Sequence, residues 1–294
     1  MSLPDNFDWK HYIALNLYHV TATNEIEAKQ HYLSVGRKMN LPYNFGEIET
    51  IIYSGGKTGG STLFNSFGNV LSPLFAKSRC NEHLLHIHWD GALRQGFKIS
   101  DIINCPRKKK LLMITSFREP IARYISAFFQ NISYHVGKPF DEILKMDVNA
   151  LMSEFIRKIR PGFIGERIHP FLENDKKNMD NVNIYRKPFD KNKKFQIYET
   201  HKVKIIMLLF DNINNWEKII QENTEYLNFK LLPANLTSEK VIYNLYSNFC
   251  KQIVIPHDIL DEIFSIEKDN LEYFYTQNEI DQIKKKWYRP NICL

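Results

Sequence analysis

Residues 53–63 read Tyr-Ser-Gly-Gly-Lys-Thr-Gly-Gly-Ser-Thr-Leu, and this stretch decides the predicted fold class. It follows Ile48–Ser54, an apolar and β-branched run typical of a buried strand, and it leads into a helical pattern that begins near Ser61. A glycine-rich turn between a strand and a helix allows backbone amides to converge at the positive end of the helix. The sequence therefore predicts an anion-binding loop within an α/β domain.

Three further runs have the pattern of strands in the same sheet: Leu84–Trp89, Lys110–Ser116 and Val203–Phe210. They are apolar along most of their length, as expected for parallel strands covered on both faces. Helices are predicted to begin near Ser61, Pro120, Val148, Ile213, Ser238 and Asn278. This alternation favours an α/β three-layer sandwich with a central, mainly parallel sheet, in which ligands bind beyond the carboxyl ends of the strands.

The beginning of the chain differs from the rest. Helix-compatible stretches run from about Trp9 to Tyr18 and from about Asn24 to Val35, and turn-forming residues at 42–46 then mark a break. We therefore expect a small helical module over residues 1–45 and the α/β domain over residues 46–294.

Composition limits the classes of function. The 294 residues are 44% hydrophobic and 24% charged, as in ordinary globular proteins, and 39 Lys plus Arg against 33 Asp plus Glu leave a net charge of +6. That charge is too small to mark a nucleic-acid binder, but it favours an anionic ligand. The four cysteines are far apart with no metal-binding spacing, and no apolar run is long enough to span a membrane. We expect a cytoplasmic protein with no metal, no membrane span and no nucleic-acid partner.

The glycine-rich loop offers several donors to an anion, because Lys57 and the hydroxyls of Thr58, Ser61 and Thr62 accompany its amides. The nucleotide-kinase pattern G-x-x-x-x-G-K-S/T would require glycine at position 51, which is Ile51, so that pattern fails at a defining position. Glycines and hydroxyls instead follow the lysine. A flexible surface turn is the alternative interpretation.

A second motif lies at residues 115–129, Thr-Ser-Phe-Arg-Glu-Pro-Ile-Ala-Arg-Tyr-Ile-Ser-Ala-Phe-Phe. Pro120 suits the first turn of a helix, and Arg118 at the strand tip and Ser126 two turns later can converge on one anion. The apolar stripe predicted to hold this helix to the sheet is Ile121, Ile125, Phe128 and Ile132. In the alternative interpretation, Arg118 pairs with Glu119 or another surface acid.

The strand between these motifs places His86 and His88 on one face, with apolar residues on the other. A neutral imidazole near the end of this strand can accept a proton from an attacking hydroxyl. A structural role for a core histidine is the alternative.

Together these segments resemble carbohydrate sulfotransferases that use 3′-phosphoadenosine 5′-phosphosulfate (PAPS), in particular microbial capsular-polysaccharide sulfotransferases and uronyl 2-O-sulfotransferases. Residues 53–63 resemble their 5′-phosphosulfate loop, residues 118–126 their R-D/E-P-x-x-R-x-x-S motif for the 3′-phosphate, and residues 84–90 their H-x-H strand. The resemblance covers about residues 48 to 294. The first 45 residues resemble a helical module attached to microbial glycan-synthesis enzymes.

The resemblance implies a P-loop-like fold, PAPS as donor, 3′-phosphoadenosine 5′-phosphate (PAP) as product and no metal. The implied donor-binding residues are Gly56, Lys57, Thr58, Gly59, Gly60, Ser61, Thr62, Arg118 and Ser126. Lys57 would also stabilise the leaving group, and His88 would be the catalytic base, with His86 as its orienting neighbour or substitute. A carboxylate such as Glu119 or Glu166 is the remaining candidate base. Gly60 departs from the pattern, because many relatives have Ser or Thr there.

An acidic carbohydrate is the expected acceptor. The resemblance gives Arg123 a role in orienting the loop or the acceptor. The basic stretch from Arg157 to Lys194, which includes Arg160, Arg167 and His169, is the expected acceptor surface, with an ordinary solvated face as the alternative. The rival functions are a P-loop kinase or NTPase, and a non-catalytic glycan- or nucleotide-binding protein of the same fold.

Overall fold

A computed structural model describes residues 2–16, 19–71, 83–88, 98–159, 187–232 and 241–288. These residues contain one five-stranded sheet, built from β1 (Thr50–Ser54), β2 (Leu84–His88), β3 (Leu111–Phe117), β4 (Phe195–Glu199) and β5 (Val203–Leu209). The strand order is β2-β1-β3-β5-β4, and every pairing is parallel except that of β4 with β5. The chain therefore has an α/β fold with a mostly parallel central sheet, as the sequence predicts.

The four predicted strands are all present, with ends that shift by one or two residues. The fifth strand, β4, is not predicted by the sequence pattern. It is a five-residue edge strand whose residues are alternately buried and partly exposed, so it lacks the continuous apolar run that identifies its neighbours. Its antiparallel register places Phe195 opposite Leu208 and Glu199 opposite Lys204.

Helices connect and cover the strands. In the described residues they are α1 (Trp9–Leu15), α2 (Glu25–His31), α3 (Gly60–Leu71), α4 (Ile99–Asn104), α5 (Pro120–Gln130), α6 (Ile132–Val136), α7 (Phe140–Ile143), α8 (Val148–Ile159), α9 (Trp216–Asn223), α10 (Tyr243–Gln252), α11 (His257–Ile266), α12 (Lys268–Phe274) and α13 (Gln277–Trp287). The predicted starts of α3, α5, α8 and α13 are confirmed to within one residue. The helix expected near Ile213 begins at Trp216 after a short 3-10 turn, Phe210–Asn215, and the start expected near Ser238 lies outside the described residues.

Helices cover both faces of the sheet. The side chains of the central strands therefore alternate between two hydrophobic cores, one on each face. Leu111 and Met113 of β3 pack in one core with α5, whose predicted stripe from Ile121 to Ile132 is buried there. Leu112 and Ile114 pack in the other core with residues of α3 and α9. This burial on both faces explains why β1, β3 and β5 are nearly continuous apolar runs.

The N-terminal segment has a small core of its own, formed by Tyr12, Val20, Ala28, Tyr32 and Leu41. The second predicted helix is α2 followed by a turn of π-helix, Tyr32–Gly36, and the Asn24 side chain caps it by accepting from the Glu27 amide at 3.1 Å. Leu15 and Phe45 belong to the main core, so this segment packs directly against the α/β domain.

Among the helices that the structure describes, none has both the length and the apolar character needed to cross a membrane.

Candidate functional site

The glycine-rich loop and Arg118 directly follow the carboxyl ends of β1 and β3. Strands β1, β3 and β5 are parallel, so their carboxyl ends meet at one edge of the sheet, which we call the carboxyl edge. Strand β1 pairs with β2 on one side and with β3 on the other, so the chain passes from β1 to one neighbour and then crosses to the opposite side. In open α/β sheets, such a reversal leaves a crevice that binds ligands.

The loop between β1 and α3 has a backbone that only particular residues can adopt. Gly59 has a φ of +94°, and a Cβ there would lie 2.7 Å from Cη2 of Trp216. A Cβ on Gly60 would overlap Oγ of Ser54 and lie 2.8 Å from Nε2 of His86. Packing of the loop against its own strands therefore requires glycine at position 60.

Two other positions in the loop leave its backbone open to a ligand. Lys57 is partly exposed and has a φ of +68°, a left-handed conformation that is uncommon for a residue with a side chain. Gly56 is exposed, and a Cβ there would meet no atom of the described part of the chain within 4 Å. Strained backbone of this kind is concentrated at functional sites.

Two buried hydroxyl groups donate hydrogen bonds to backbone carbonyls of the loop. The Thr58 hydroxyl is buried and donates to the Gly55 carbonyl at 2.9 Å, and the Ser116 hydroxyl at the end of β3 donates to the Thr58 carbonyl at 2.8 Å. The Thr58 side chain therefore stabilises the loop, whereas the sequence interpretation assigned it to the ligand. Of the other two hydroxyl residues, Ser61 is exposed in the first turn of α3 and Thr62 is buried.

Arg118 follows β3 and reaches the glycine-rich loop. Its Nη1 donates to the Lys57 carbonyl at 3.2 Å, and its guanidinium lies 4.4 Å from the ring centroid of Phe210. No described carboxylate forms an ion pair with it. Its charge is thus held by a carbonyl and an aromatic face, which leaves it uncompensated by an anion from the described residues.

Glu119 does not pair with Arg118, contrary to the alternative interpretation. Its two carboxylate oxygens accept from the amides of Ile121 at 2.8 Å and Ala122 at 2.9 Å, so it caps the N-terminus of α5. Burial raises the pKa of this carboxyl above its ordinary value, although the two amides and Lys286 oppose the shift. A buried carboxylate with both oxygens engaged is poorly placed to act as a base.

Arg123 forms a buried ion pair with Glu267. Its Nη2 lies 3.2 Å from Oε1 of Glu267, and the same oxygen accepts from the Tyr124 hydroxyl at 2.8 Å. Asn270 donates to the other carboxylate oxygen at 2.6 Å. The structure thus gives Arg123 a buried partner between α5 and α12, and its expected contact with an acceptor stays a prediction. Ser126, one turn further along α5, is also buried, and the structure describes no hydrogen bond that joins it to Arg118.

The two histidines of β2 lie beside β1, with His86 opposite Ile52 and His88 opposite Ser54. Nε2 of His86 is 3.2 Å from Oγ of Ser54, and its ring stacks on Phe64 with centroids 5.4 Å apart. His86 is therefore positioned next to the loop. The side chain of His88 lies outside the description, so its role as a base stays a prediction.

The expected acceptor surface is described only in part. Arg160, Arg167, His169 and the alternative base Glu166 lie outside the described residues. Three cations of the same stretch that the structure does describe form ion pairs. Arg157 pairs with Glu154 and Lys193 with Asp190, each three residues away, and Lys194 pairs with Glu279 of α13. These pairs reduce the positive charge that this stretch can offer to an acidic ligand.

Sequence reasoning missed four residues that shape the site: Ser54, Ser116, Phe210 and Tyr246. The first three are at or just beyond the ends of parallel strands, a position from which they could have been identified. Tyr246 comes from α10, and burial raises the pKa of its hydroxyl to about 12 while the nearby Arg118 partly opposes that shift. No sequence signal links α10 to the carboxyl edge.

Neither a protein-family model, nor a curated protein, nor a solved structure matches this chain.

Proposed function

We propose that this chain is a PAPS-dependent carbohydrate sulfotransferase with a P-loop-like three-layer fold, and that the donor binds in the crevice between β1 and β3. The observation that carries the proposal is the 3.2 Å hydrogen bond from Arg118 Nη1 to the Lys57 carbonyl. It brings the loop that resembles a 5′-phosphosulfate site next to the arginine that resembles a 3′-phosphate ligand.

The carboxyl edge suits a ligand with two anionic groups. The open backbone at Gly56 permits close approach, and the first turn of α3 presents amides that have no partner within the helix. Lys57 and Arg118 add two cations, of which Arg118 has no described carboxylate partner. The loop would hold the 5′-phosphosulfate, while Arg118 and Ser126 would hold the 3′-phosphate.

When bound, PAPS would supply a sulfuryl group whose bond to the 5′-phosphate oxygen breaks as a bond forms between sulfur and the acceptor oxygen. Lys57 and the loop amides would stabilise the negative charge left on the 5′-phosphate oxygen. A histidine at the end of β2 would accept the proton that the acceptor hydroxyl loses. We keep His88 as the proposed base and His86, held beside Ser54 and Phe64, as its orienting neighbour.

The proposed acceptor is an acidic carbohydrate, with Arg160, Arg167 and His169 as proposed contacts. Glu119 is excluded as the proposed base because its carboxylate caps α5. No metal has a role in this chemistry, since the cations that would stabilise the leaving group are side chains.

The reaction is tested by following labelled sulfate from PAPS to a panel of acidic oligosaccharides. We expect the wild-type chain to sulfate at least one, and Lys57→Ala to reduce kcat by about a hundredfold or more, as for the loss of one group that stabilises transition-state charge. Lys145→Ala, which changes an exposed lysine outside both the loop and the expected acceptor surface, is the matched control and should retain activity.

Two outcomes would contradict the proposal. If no acceptor is sulfated but ATP is hydrolysed in the presence of Mg²⁺, the kinase or NTPase interpretation is correct. If neither reaction occurs while PAP still binds, the chain is a binding protein of this fold.

A further inference from the structure

A cavity of about 1070 Å³ lies at the opposite end of the parallel strands from the proposed donor site. We call it the seam cavity, because its walls come from both the N-terminal segment and the α/β domain. The N-terminal segment contributes Arg37 and Tyr43 to the walls, and the α/β domain contributes Arg107, Lys108 and Lys109. A volume of about 1070 Å³ is large enough for a ligand of several rings.

The seam cavity lies at the amino ends of the strands. Glu49 and His83, which line it, immediately precede β1 and β2, and the Glu49 amide donates to the His83 carbonyl at 3.0 Å. Strands of five residues span about 16 Å, so the cavity and the carboxyl edge are separated by that length of sheet. A ligand in the cavity would not occupy the donor site.

Positive charge dominates the walls. Four cations, Arg37 and residues 107–109, line the cavity with only two carboxylates, Glu47 and Glu49. Arg37 and Lys108 are exposed, and neither forms an ion pair with any described residue. Lys109 is shared between Glu49 and Glu225, both at 3.7 Å.

Arg107 contributes a fixed charge. Its guanidinium donates to the carbonyls of Ile48 at 2.7 Å, Cys105 at 3.4 Å and Ile102, so each of its three nitrogens has a carbonyl partner and none pairs with a described carboxylate. Burial lowers the pKa of Arg107, because desolvation disfavours its charged form, and the nearby Cys105 partly opposes this shift. A partly buried guanidinium held by carbonyls makes the wall attractive to an anion whether or not the neighbouring lysines move.

The remaining polar and aromatic groups indicate the kind of anion. Asn6 and Asn40 lie on the wall, and the ring of Tyr43 is partly exposed. Side-chain amides can donate to and accept from sugar hydroxyls, and a tyrosine ring can pack against the apolar face of a sugar. Arg37 lies on one side of the seam and residues 107–109 lie on the other, so cations face the cavity from two segments, an arrangement that suits charges repeated along a chain better than one compact ion.

We propose that the seam cavity binds a segment of an acidic polysaccharide, with Arg37 and Lys108 contacting its anionic groups from the two sides of the seam. This proposal stands independently of the reaction proposed above, since it uses neither the glycine-rich loop nor Arg118. The protein would then contact carbohydrate at two places, the acceptor site at the carboxyl edge and the seam cavity at the other end of the strands.

The test is binding of a fluorescent oligogalacturonate hexamer at low ionic strength, measured by anisotropy. We expect the double variant Arg37→Ala/Lys108→Ala to bind at least about tenfold more weakly, because it loses two charge-assisted contacts. The control double variant Lys38→Ala/Lys138→Ala removes two exposed lysines outside the cavity and should bind within about twofold of wild type.

Several results would overturn the proposal: no binding of the hexamer, equal binding by the two double variants, or equal binding of neutral maltohexaose. Tighter binding of a single-stranded oligothymidylate of matched charge would reassign the cavity to nucleic acid. Stabilisation by PAP should be the same in Arg37→Ala/Lys108→Ala as in wild type, so a failure here is distinguishable from a failure of the donor site.

Discussion

At the scale of single residues, the site depends on what each glycine in the loop contacts. The sequence identifies the loop and its cations, because the order of glycine, lysine and hydroxyl residues is local information. It does not reveal that Thr58 points into the protein or that Gly60 is forced by Ser54, because both facts depend on β1, β2 and β3 lying side by side. Phe210, more than ninety residues after Arg118, was missed for the same reason.

We predict that Gly60→Ala destabilises the protein by about 1–3 kcal/mol, because the new Cβ must displace Ser54 or His86. The measurement is urea unfolding. Gly68→Ala, in the same helix, is the control: no atom of the described residues lies within 4 Å of its Cβ position, so we expect about 0.5–1 kcal/mol of added stability. Equal changes in the free energy of unfolding for the two substitutions would contradict the close packing of Ser54 and His86 around Gly60.

At the scale of elements, burial decides what could be predicted. The parallel strands β1, β3 and β5 are buried along their whole length, so each appears in the sequence as an apolar run. The short edge strand β4 and the helices α4, α6, α7, α11 and α12 escaped prediction, since short or half-exposed elements depend on tertiary contacts for their stability.

One such contact joins α5 to α12. We predict that Arg123→Met costs about 3–5 kcal/mol, because it leaves Glu267, which is 1% exposed, as a buried charge without its cation. Chemical denaturation of the single and double variants tests this. The double variant Arg123→Met/Glu267→Leu should recover much of the loss.

The double variant Arg123→Met/Glu267→Leu also distinguishes a structural role of Arg123 from a role in binding the acceptor. If Arg123 serves only to join the helices, sulfate transfer should recover in the double variant together with stability. A double variant that is stable but has a raised KM for the acceptor would instead restore Arg123 to the substrate site.

At the scale of the whole molecule, the modest net charge of +6 is distributed unevenly. The sequence suggested that the cations of Arg157–Lys194 face an acidic acceptor, yet three of those that the structure describes, Arg157, Lys193 and Lys194, are paired. Cations without a described carboxylate partner occur at both edges of the sheet, Arg118 at the carboxyl edge and Arg37 with Lys108 in the seam cavity. Such a distribution depends on which loops the fold brings together, so composition and charge runs could not predict it.

The central claim is that the carboxyl edge binds a bisphosphorylated adenosine nucleotide, and the direct test is the thermal stability of wild type and Arg118→Ala with PAP or with ATP and Mg²⁺. A ligand that binds only the folded state adds about 2.7 kcal/mol at about a hundred times its Kd. We predict that PAP without metal raises the Tm of wild type, that Arg118→Ala loses most of this shift, and that ATP with Mg²⁺ produces little. A larger shift with ATP and Mg²⁺ than with PAP, or an Arg118→Ala variant that PAP stabilises as fully as wild type, would contradict the account.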